Sequence, residues 1–117
     1  MIRPFRSEDA AAFRELNEQW IAKYFTMEEP DRCVLNDPEG QVLRPGGQIF
    51  MAFLYGRAVG CCALLSHAPG EFEVAKMAVE EEHRGLGIGR RVLEFTVAQA
   101  RGLGARSLYL ETNSKLE

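Results

Sequence analysis

The chain has few of the features that would place it in a specialised class of protein. Its 117 residues include no apolar run near the roughly 20 residues that span a bilayer, and its N-terminus does not read as a signal peptide. The net charge is −3 and the basic residues are scattered, so no surface for nucleic acid is visible. We expect a cytoplasmic protein with neither a membrane partner nor a nucleic-acid partner.

Cysteine and histidine are also scarce. The three cysteines include no CxxC pair and only two histidines are present, so no metal-site spacing is visible. Cys61 and Cys62 are neighbours on a predicted strand, where successive side chains point to opposite faces, so they are poor disulfide partners. We expect both of them, and the isolated Cys33, to be buried as small apolar side chains.

Glycine, in contrast, is concentrated at one place. Residues 84–89 read Arg-Gly-Leu-Gly-Ile-Gly, between a strand-like run over residues 72–79 and a helix-like run over residues 90–103. Glycines leave backbone N–H groups open, and the start of a helix adds unpaired N–H groups and a positive dipole end. The loop therefore predicts an anion cradle suited to a phosphate or a pyrophosphate.

Spacing separates the possible phosphate loops. A Walker loop needs Lys and then Ser or Thr after its last glycine, whereas Arg90 and Arg91 follow Gly89. A dinucleotide fingerprint needs a third glycine where Arg90 stands, although Glu111 lies at the distance of its acidic residue. For the loop taken alone, a solvated glycine-rich connection stays open as the alternative.

Hydrophobic periodicity predicts one α+β domain, a mixed α/β arrangement over residues 1–117. Strands are predicted at 2–5, 48–55, 58–66, 71–79 and 107–112, the middle three antiparallel and the last two parallel through a helical crossover. The first helix is predicted to be capped by Ser7, and a shorter helical piece covers 28–34, followed by loops at 36–40 and 44–47. The stripe of the first helix consists of Phe13, Leu16, Trp20 and Tyr24. The stripe of the helix after the glycines consists of Val92, Leu93, Val97, Ala100 and Leu103, with Gly104 as its C-terminal cap.

The run over residues 72–116 resembles the GNAT superfamily of acetyl-CoA-dependent N-acetyltransferases. The resemblance is carried by the Lys-Met-Ala-Val strand at 76–79, the Arg84-x-x-Gly87-x-Gly89 loop, the long helix and the closing Leu-Glu-Thr-Asn at 110–113. In that family the pattern (Gln or Arg)-x-x-Gly-x-(Gly or Ala) binds the pyrophosphate of coenzyme A. Residues 1–65 fit the family more loosely. The resemblance implies a mostly antiparallel sheet with one splayed parallel pair, flanked by helices.

The resemblance also implies acetyl-CoA as the cofactor, without a metal, and a set of binding residues. The pantetheine arm would lie between the strands predicted at 71–79 and 107–112. The implied cofactor contacts are Met77, Ala78, Val79, Arg84, Leu86, Gly87, Ile88, Gly89, Arg90 and Asn113. The implied acceptor contacts are Tyr24, Phe25, Glu28 and Glu29, for which packing of the aromatic residues and solvation of the acidic ones is the alternative.

Acetyl transfer needs an acceptor amine without its extra proton. A lysine-like amine is only about one part in a few thousand neutral at pH 7, a handicap of about 5 kcal/mol. Glu73 stands where many GNAT enzymes carry a glutamate general base, so it is our candidate; the alternative is an ordinary polar residue near a strand start. A backbone N–H near Met77 or Ala78 would stabilise charge on the thioester oxygen. Tyr109 is expected to pack.

The family's usual closing helix and two strands would follow Asn113, whereas this chain ends at Glu117. We expect the uncovered edge strand to be paired in a homodimer; the alternative is a fragment of a longer protein. The resemblance implies an N-acetyltransferase that acts on the primary amine of a small molecule, a peptide N-terminus or a lysine. The alternative function is a non-catalytic acyl-CoA-binding module.

Overall fold

The computed structural model describes residues 1–24, 27–83 and 85–110, and it confirms the predicted mixed fold. The described strands form one sheet in the order β1-β2-β3-β4-β5, antiparallel except for the parallel β4–β5 pair. The strands are β1 (Ile2–Pro4), β2 (Gln48–Leu54), β3 (Arg57–Ala68), β4 (Glu71–Val79) and β5 (Ser107–Leu110). The helices are α1 (Ala10–Tyr24), α2 (Glu29–Asn36) and α3 (Ile88–Gly102).

The start of α1 differs from the prediction. Ser7 does not cap it; a 3₁₀ turn over Ser7–Asp9 leads into α1, and the extended Arg6 is the N-cap residue. The Asp9 carboxylate accepts hydrogen bonds from the Arg6 backbone N–H at 2.8 Å and from the Arg3 guanidinium at 2.7 and 3.0 Å. Burial alone would raise the pKa of Asp9, but these bonds lower it below its usual value. Asp9 thus joins β1 to the first helix.

The core lies on both faces of the sheet, as the apolar strands predicted. One face packs against α1 and α2, and its fully buried side chains include Phe13, Ile49 and Met51. The other face packs against α3 through Leu64, Val74 and Val92. Cys61 belongs to the first cluster and Cys62 to the second, so the two neighbours do point to opposite faces. Cys33 is exposed, so the expectation that it is buried is wrong.

Two further expectations need correction. Leu103, the C-cap residue of α3, is 45% exposed instead of packed. Thr96 of α3 is fully buried, and its hydroxyl donates to the Val92 carbonyl at 2.8 Å. A single π-helical turn over Glu39–Leu43 overlaps the end of the loop predicted at 36–40 and puts Val42 in the core. Gly104 ends α3 with φ +83°, which confirms the predicted cap.

Candidate functional site

The glycine-rich loop contains two backbone positions that favour glycine. Gly85 has φ +85° and Gly87 has φ +81°, and a Cβ on either would meet nothing within 4 Å. Gly87 is the N-cap residue of α3, and no side chain caps it. The amides of residues 88–90 precede the first intrahelical donor, which is the Arg91 N–H, bonded to the Gly87 carbonyl at 3.0 Å. An open group of amides therefore faces outward at the positive end of α3.

Small residues bring the start of α3 close to the sheet. A Cβ on Gly89 would lie 3.3 Å from Cγ2 of Val79, the last residue of β4. A Cβ on Gly60, in β3, would lie 3.3 Å from Cγ2 of Ile88. Both glycines allow the start of α3 to pack closely against β3 and β4, and a larger residue at either position would increase that distance. The loop amides therefore lie directly beyond the end of β4. Leu86 and Arg90 are exposed beside them.

The connection from β4 to the loop is anchored at several points. The Glu80 N–H donates to the Val59 carbonyl at 2.8 Å, and its carboxylate pairs with Arg57. The His83 N–H donates to the Glu80 carbonyl at 2.9 Å, and Lys23 of α1 pairs with Glu81. Glu80 is only 8% exposed, so it is buried although it begins a run of three acidic residues.

β4 carries a bulge at its centre. Cys61 pairs with Ala78 and Ala63 with Ala75, so two residues of β4, Lys76 and Met77, face one residue of β3. Lys76 has φ +52°, which is unusual for a residue with a side chain and is typical of functional sites. A bulge leaves backbone groups outside the regular pairing and redirects side chains. Of the predicted cofactor contacts on β4, Met77 therefore lies in the bulge, whereas Ala78 and Val79 pair in register with Cys61 and Gly60.

The bulge is held by an ion pair with α2. The Lys76 ammonium pairs with the Asp31 carboxylate, and the two side chains are only 10% and 23% exposed. Burial raises the pKa of Asp31, but the hydrogen bonds from Lys76 and from the Glu28 amide outweigh it and lower that pKa below its usual value. The first turn of α2 therefore lies against the bulge. Neither Lys76 as a salt-bridge partner nor Asp31 was identified from the sequence, because their contact depends on the bulge.

Glu73 lies on the α1–α2 side of the sheet, since its partner across the strands, Leu65, packs against that core. Its side chain is 24% exposed, and its Oε1 is 2.7 Å from Nε2 of His67, which is 51% exposed. Tyr109 of β5 pairs in register with Glu73 and is 52% exposed, with its hydroxyl 3.4 Å from Oε1 of Glu71. The expectation that Tyr109 is packed is therefore wrong.

His67 was missed by the sequence analysis, although a signal for it exists. It lies close to the predicted turn at residues 68–70, and a hairpin folded there returns the chain past His67 within the next few residues. Pairing the two predicted strands around that turn would have placed His67 beside residues 71–73.

The predicted acceptor contacts lie at the start of α2 and the end of α1. Glu28 is the N-cap residue of α2 and is exposed, and Glu29 is exposed with its Oε2 3.5 Å from Nη1 of Arg32. Tyr24 is the last residue of α1, and its side chain lies outside the described part of the structure. Phe25, Arg84 and Asn113 also lie outside the described residues.

The β4–β5 pairing in the described residues runs from Glu71↔Ser107 to Val74↔Leu110. Residues 75–79 of β4, which include the bulge, lie beyond this paired stretch. The expected splay of these two strands concerns residues 111–112 of the second strand, which are outside the described residues.

The buried cysteines are unsuited to nucleophilic chemistry. Burial raises the pKa of Cys61 to about 12, with a further increase from Cys62, and donors from Asn17 and the Ala78 backbone offset only part of it. Burial also raises the pKa of Cys62 to about 11. Since the thiolate is the reactive form, neither thiol is activated.

Two further features are absent from residues 1–24, 27–83 and 85–110. These residues contain no group of three or more metal-binding side chains. They also contain no helix with the length and apolar character needed to cross a membrane.

Comparison with known proteins identifies the family. The sequence model of the acetyltransferase (GNAT) family matches residues 10–116. An N-acetyltransferase of Chlorobaculum tepidum, described as uncharacterized, is 27% identical over 111 residues, which are 95% of this chain and 66% of that protein. The chain thus spans slightly less than two thirds of that relative's length.

Solved structures agree at the level of the fold. A GNAT-family acetyltransferase of Staphylococcus aureus superposes with a TM-score of 0.87 at 21% identity, over 99% of this chain and 74% of that one. A GNAT-family acetyltransferase of Brucella melitensis in complex with acetyl-CoA has a TM-score of 0.82 at 24% identity, over 97% of this chain and 75% of that one. Because the family model covers most of the chain, this chain belongs to the GNAT acetyltransferase family, and the resemblance read from the sequence is confirmed.

Proposed function

We propose that this chain is an N-acetyltransferase domain, over residues 1–117, that transfers an acetyl group from acetyl-CoA to a primary amine. The observation that carries the proposal is the group of open amides at the start of α3, directly beyond the end of β4 and its central bulge. Membership of the GNAT family supports acetyl-CoA as the cofactor. The structure of the Brucella melitensis family member in complex with acetyl-CoA supports it further.

The residues present fit coenzyme A at two separate places. The amides of residues 86–90 would hold the pyrophosphate, because several N–H groups at a helix start can share a negative charge without a metal. Arg84 and Arg90 would add positive charge beside them, and Asn113 would add a polar contact. The backbone of Met77, Ala78 and Val79 would bind the pantetheine arm in the manner of an added strand. When bound, acetyl-CoA supplies the acetyl group as a thioester.

We assign to Glu73 the removal of the proton from the acceptor amine. Its carboxylate is on the α1–α2 side of the sheet, partly exposed, and already accepts a contact from His67. A general base that removes the amine's proton contributes roughly 10²–10⁴ in rate. The Met77 amide, beside the left-handed Lys76, is our candidate donor to the oxygen on which charge develops.

The acceptor side is proposed at the start of α2 and the end of α1. Glu28 and Glu29 are exposed there, and Asp31 attaches the same helical turn to the β4 bulge. Tyr24 and Phe25 precede that turn. Two acidic side chains at the start of α2 would favour an acceptor that arrives with a positive charge, such as a protonated amine of a small molecule, a peptide N-terminus or a lysine.

Two further features complete the proposal. β5 is the edge strand of the described sheet, and its exposed Tyr109 would be covered in a homodimer that extends the sheet or packs against it. All three cysteines are free, which is typical of the reducing cytoplasm.

Thiol release from acetyl-CoA tests the function directly. The full chain is incubated with acetyl-CoA and a panel of small amines, peptides with free N-termini and lysine peptides, and free thiol is measured along with acetylated product. Amine-dependent release with matching product supports the proposal. Tight binding of coenzyme A without release on any acceptor would instead indicate a non-catalytic acyl-CoA-binding module.

A further inference from the structure

We propose that His67 acts through Glu73 as a positioning residue, which orients the carboxylate and carries the acceptor's proton from it to solvent. The inference rests on the proposed function and deepens it, since it names a residue that neither the family motif nor the sequence analysis identified.

The hairpin geometry brings the two side chains to one side of the sheet. Ser66 pairs with Phe72 and Ala68 with Glu71, so His67 lies in a bulge without a partner on β4. Alternation along β3 places His67 on the same side as Leu65, and Leu65 is paired with Glu73. The bulge therefore frees the imidazole to reach the carboxylate.

The contact has the geometry of a strong hydrogen bond. Nε2 of His67 and Oε1 of Glu73 are 2.7 Å apart, within the range of charge-assisted bonds. The terminal torsion of a glutamate side chain is broadly distributed, and a hydrogen bond to one carboxylate oxygen restricts it.

Exposure gives the proton a route outward. The side chain of Glu73 is 24% exposed and that of His67 is 51% exposed, so the pair leads from a partly buried carboxylate to water. Imidazole can take a proton on one ring nitrogen and release one to solvent. A half-exposed contact of this kind contributes little to folding stability. If the contact served only to hold the hairpin, its removal would have little effect on kcat.

The proton and electron balance of the step is complete. The amine's lone pair forms the N–C bond to the acetyl carbon while the C–S bond breaks, and the sulfur leaves with that electron pair. The proton lost by the nitrogen goes to Glu73. The neutral carboxyl group then donates it to Nε2 of His67, whose ring carries its own proton on Nδ1 in this step, and the imidazolium releases the Nδ1 proton to water. The Nε2–H that remains donates to the Glu73 carboxylate until exchange with water returns the ring to its Nδ1–H form. No oxidant, reductant or metal is required.

Steady-state kinetics of His67 variants test the proposal. His67→Ala is expected to lower kcat about tenfold or more, which is within the range for assisted proton transfer, with KM and Kd for acetyl-CoA changed less than about twofold. Added imidazole is expected to restore most of that loss, because the vacated position is open to solvent. His67→Gln keeps a hydrogen-bonding side chain but fills the position, so we expect its kcat to be lowered and not restored by imidazole.

A double variant separates a role through Glu73 from an independent one. Glu73→Gln with His67→Ala is expected to be no slower than Glu73→Gln alone, since residues that act as a unit are non-additive. The role of His67 would be overturned, and the proposed function would not, if the kcat of His67→Ala were within twofold of that of the unmodified chain or if imidazole did not restore the lost kcat. An unmodified chain that releases no thiol with any amine would overturn the proposed function together with it.

Discussion

At the scale of single residues, the proposed chemistry depends on Glu73. Its neighbour Glu71 makes a useful comparison, because both belong to β4, both are partly buried, and both make one side-chain contact on the same side of the sheet. Only Glu73 contacts the histidine that leads to solvent. Only Glu73 is also at the position that the family resemblance implies for a general base.

We predict that Glu73→Gln lowers kcat by about 100-fold or more, the lower end of the range for loss of a general base, and leaves the Kd for acetyl-CoA unchanged. Glu71→Gln serves as the matched control and should retain near-normal kcat. Thiol release gives kcat, and titration calorimetry gives Kd. Equal rates for the Glu73 variant and the unmodified chain would remove Glu73 from the mechanism.

The family resemblance implies site residues that lie in one continuous stretch of sequence. Glu73, Met77 and Gly87 follow one another along β4 and the loop before α3, and their roles stay predictions. Asp31 was missed because it meets β4 at a bulge, and a bulge changes side-chain direction without a strong mark in the sequence. His67 was missed because the predicted hairpin was not followed to the residues that it brings together.

At the scale of elements, the start of α3 holds the predicted pyrophosphate contacts. We predict that Gly87→Asp weakens acetyl-CoA binding at least about tenfold, because it puts a side chain and a negative charge among the open amides. Gly104→Asp is the matched control: φ is +83° there and +81° at Gly87, and both sites have open surroundings. The control shares the backbone strain but lies at the opposite end of α3. Calorimetry showing equal Kd for both variants would contradict the assignment of the loop.

The N-terminus of α1 gives a pH-dependent prediction. The pKa of Asp9 is lowered in the folded state, so its contribution to stability is present above the unfolded pKa of about 3.9 and is lost as the pH falls through the folded pKa. Asp9→Asn should therefore destabilise the fold at pH 7 by about 1–2 kcal/mol, as expected for a lost capping interaction.

The difference in free energy of unfolding between Asp9→Asn and the unmodified chain should become smaller in acid. Thermal unfolding at several pH values measures this difference, and Glu8→Gln is the control because Glu8 is in the same turn but exposed. A destabilisation by Asp9→Asn that stays constant down to the most acidic pH would show that the carboxylate's charge is not responsible.

Elements were easier to predict than their ends. The strand predicted at 71–79 was correct at both limits because apolar residues and turn residues mark it clearly. The cap of α1 was wrong because a serine next to two acidic residues offers several possible caps, and the choice depends on where Arg3 of β1 lies. The packing of Thr96 was missed because its hydroxyl is satisfied inside the helix.

At the scale of the whole molecule, the described sheet has β5 at one edge. Light scattering is expected to give a mass of twice the 13.1 kDa of one chain, since an exposed edge strand tends to be covered by another chain. The replacement Tyr109→Lys should shift the protein toward monomer by adding charge to that edge. A monomer at all concentrations for the unmodified chain would contradict this proposal while leaving the transfer site intact.

The fold could be predicted at this scale because its two-sided core is visible in the strands. Cys61 and Cys62 lie in runs that are apolar on both faces, which requires helices on both sides of the sheet. Exposure at the edges was not predictable in the same way. Tyr109 and Cys33 have side chains that are compatible with a core, and only the arrangement of neighbouring elements decides that they lie outside it.

A crystal structure of the full chain with acetyl-CoA tests the central claim most directly. We predict that the pyrophosphate oxygens accept hydrogen bonds from the amides of residues 87–90 and that the thioester lies beside the bulge at Lys76 and Met77. Acetyl-CoA bound elsewhere, with the amides at the start of α3 free of it, would contradict the account.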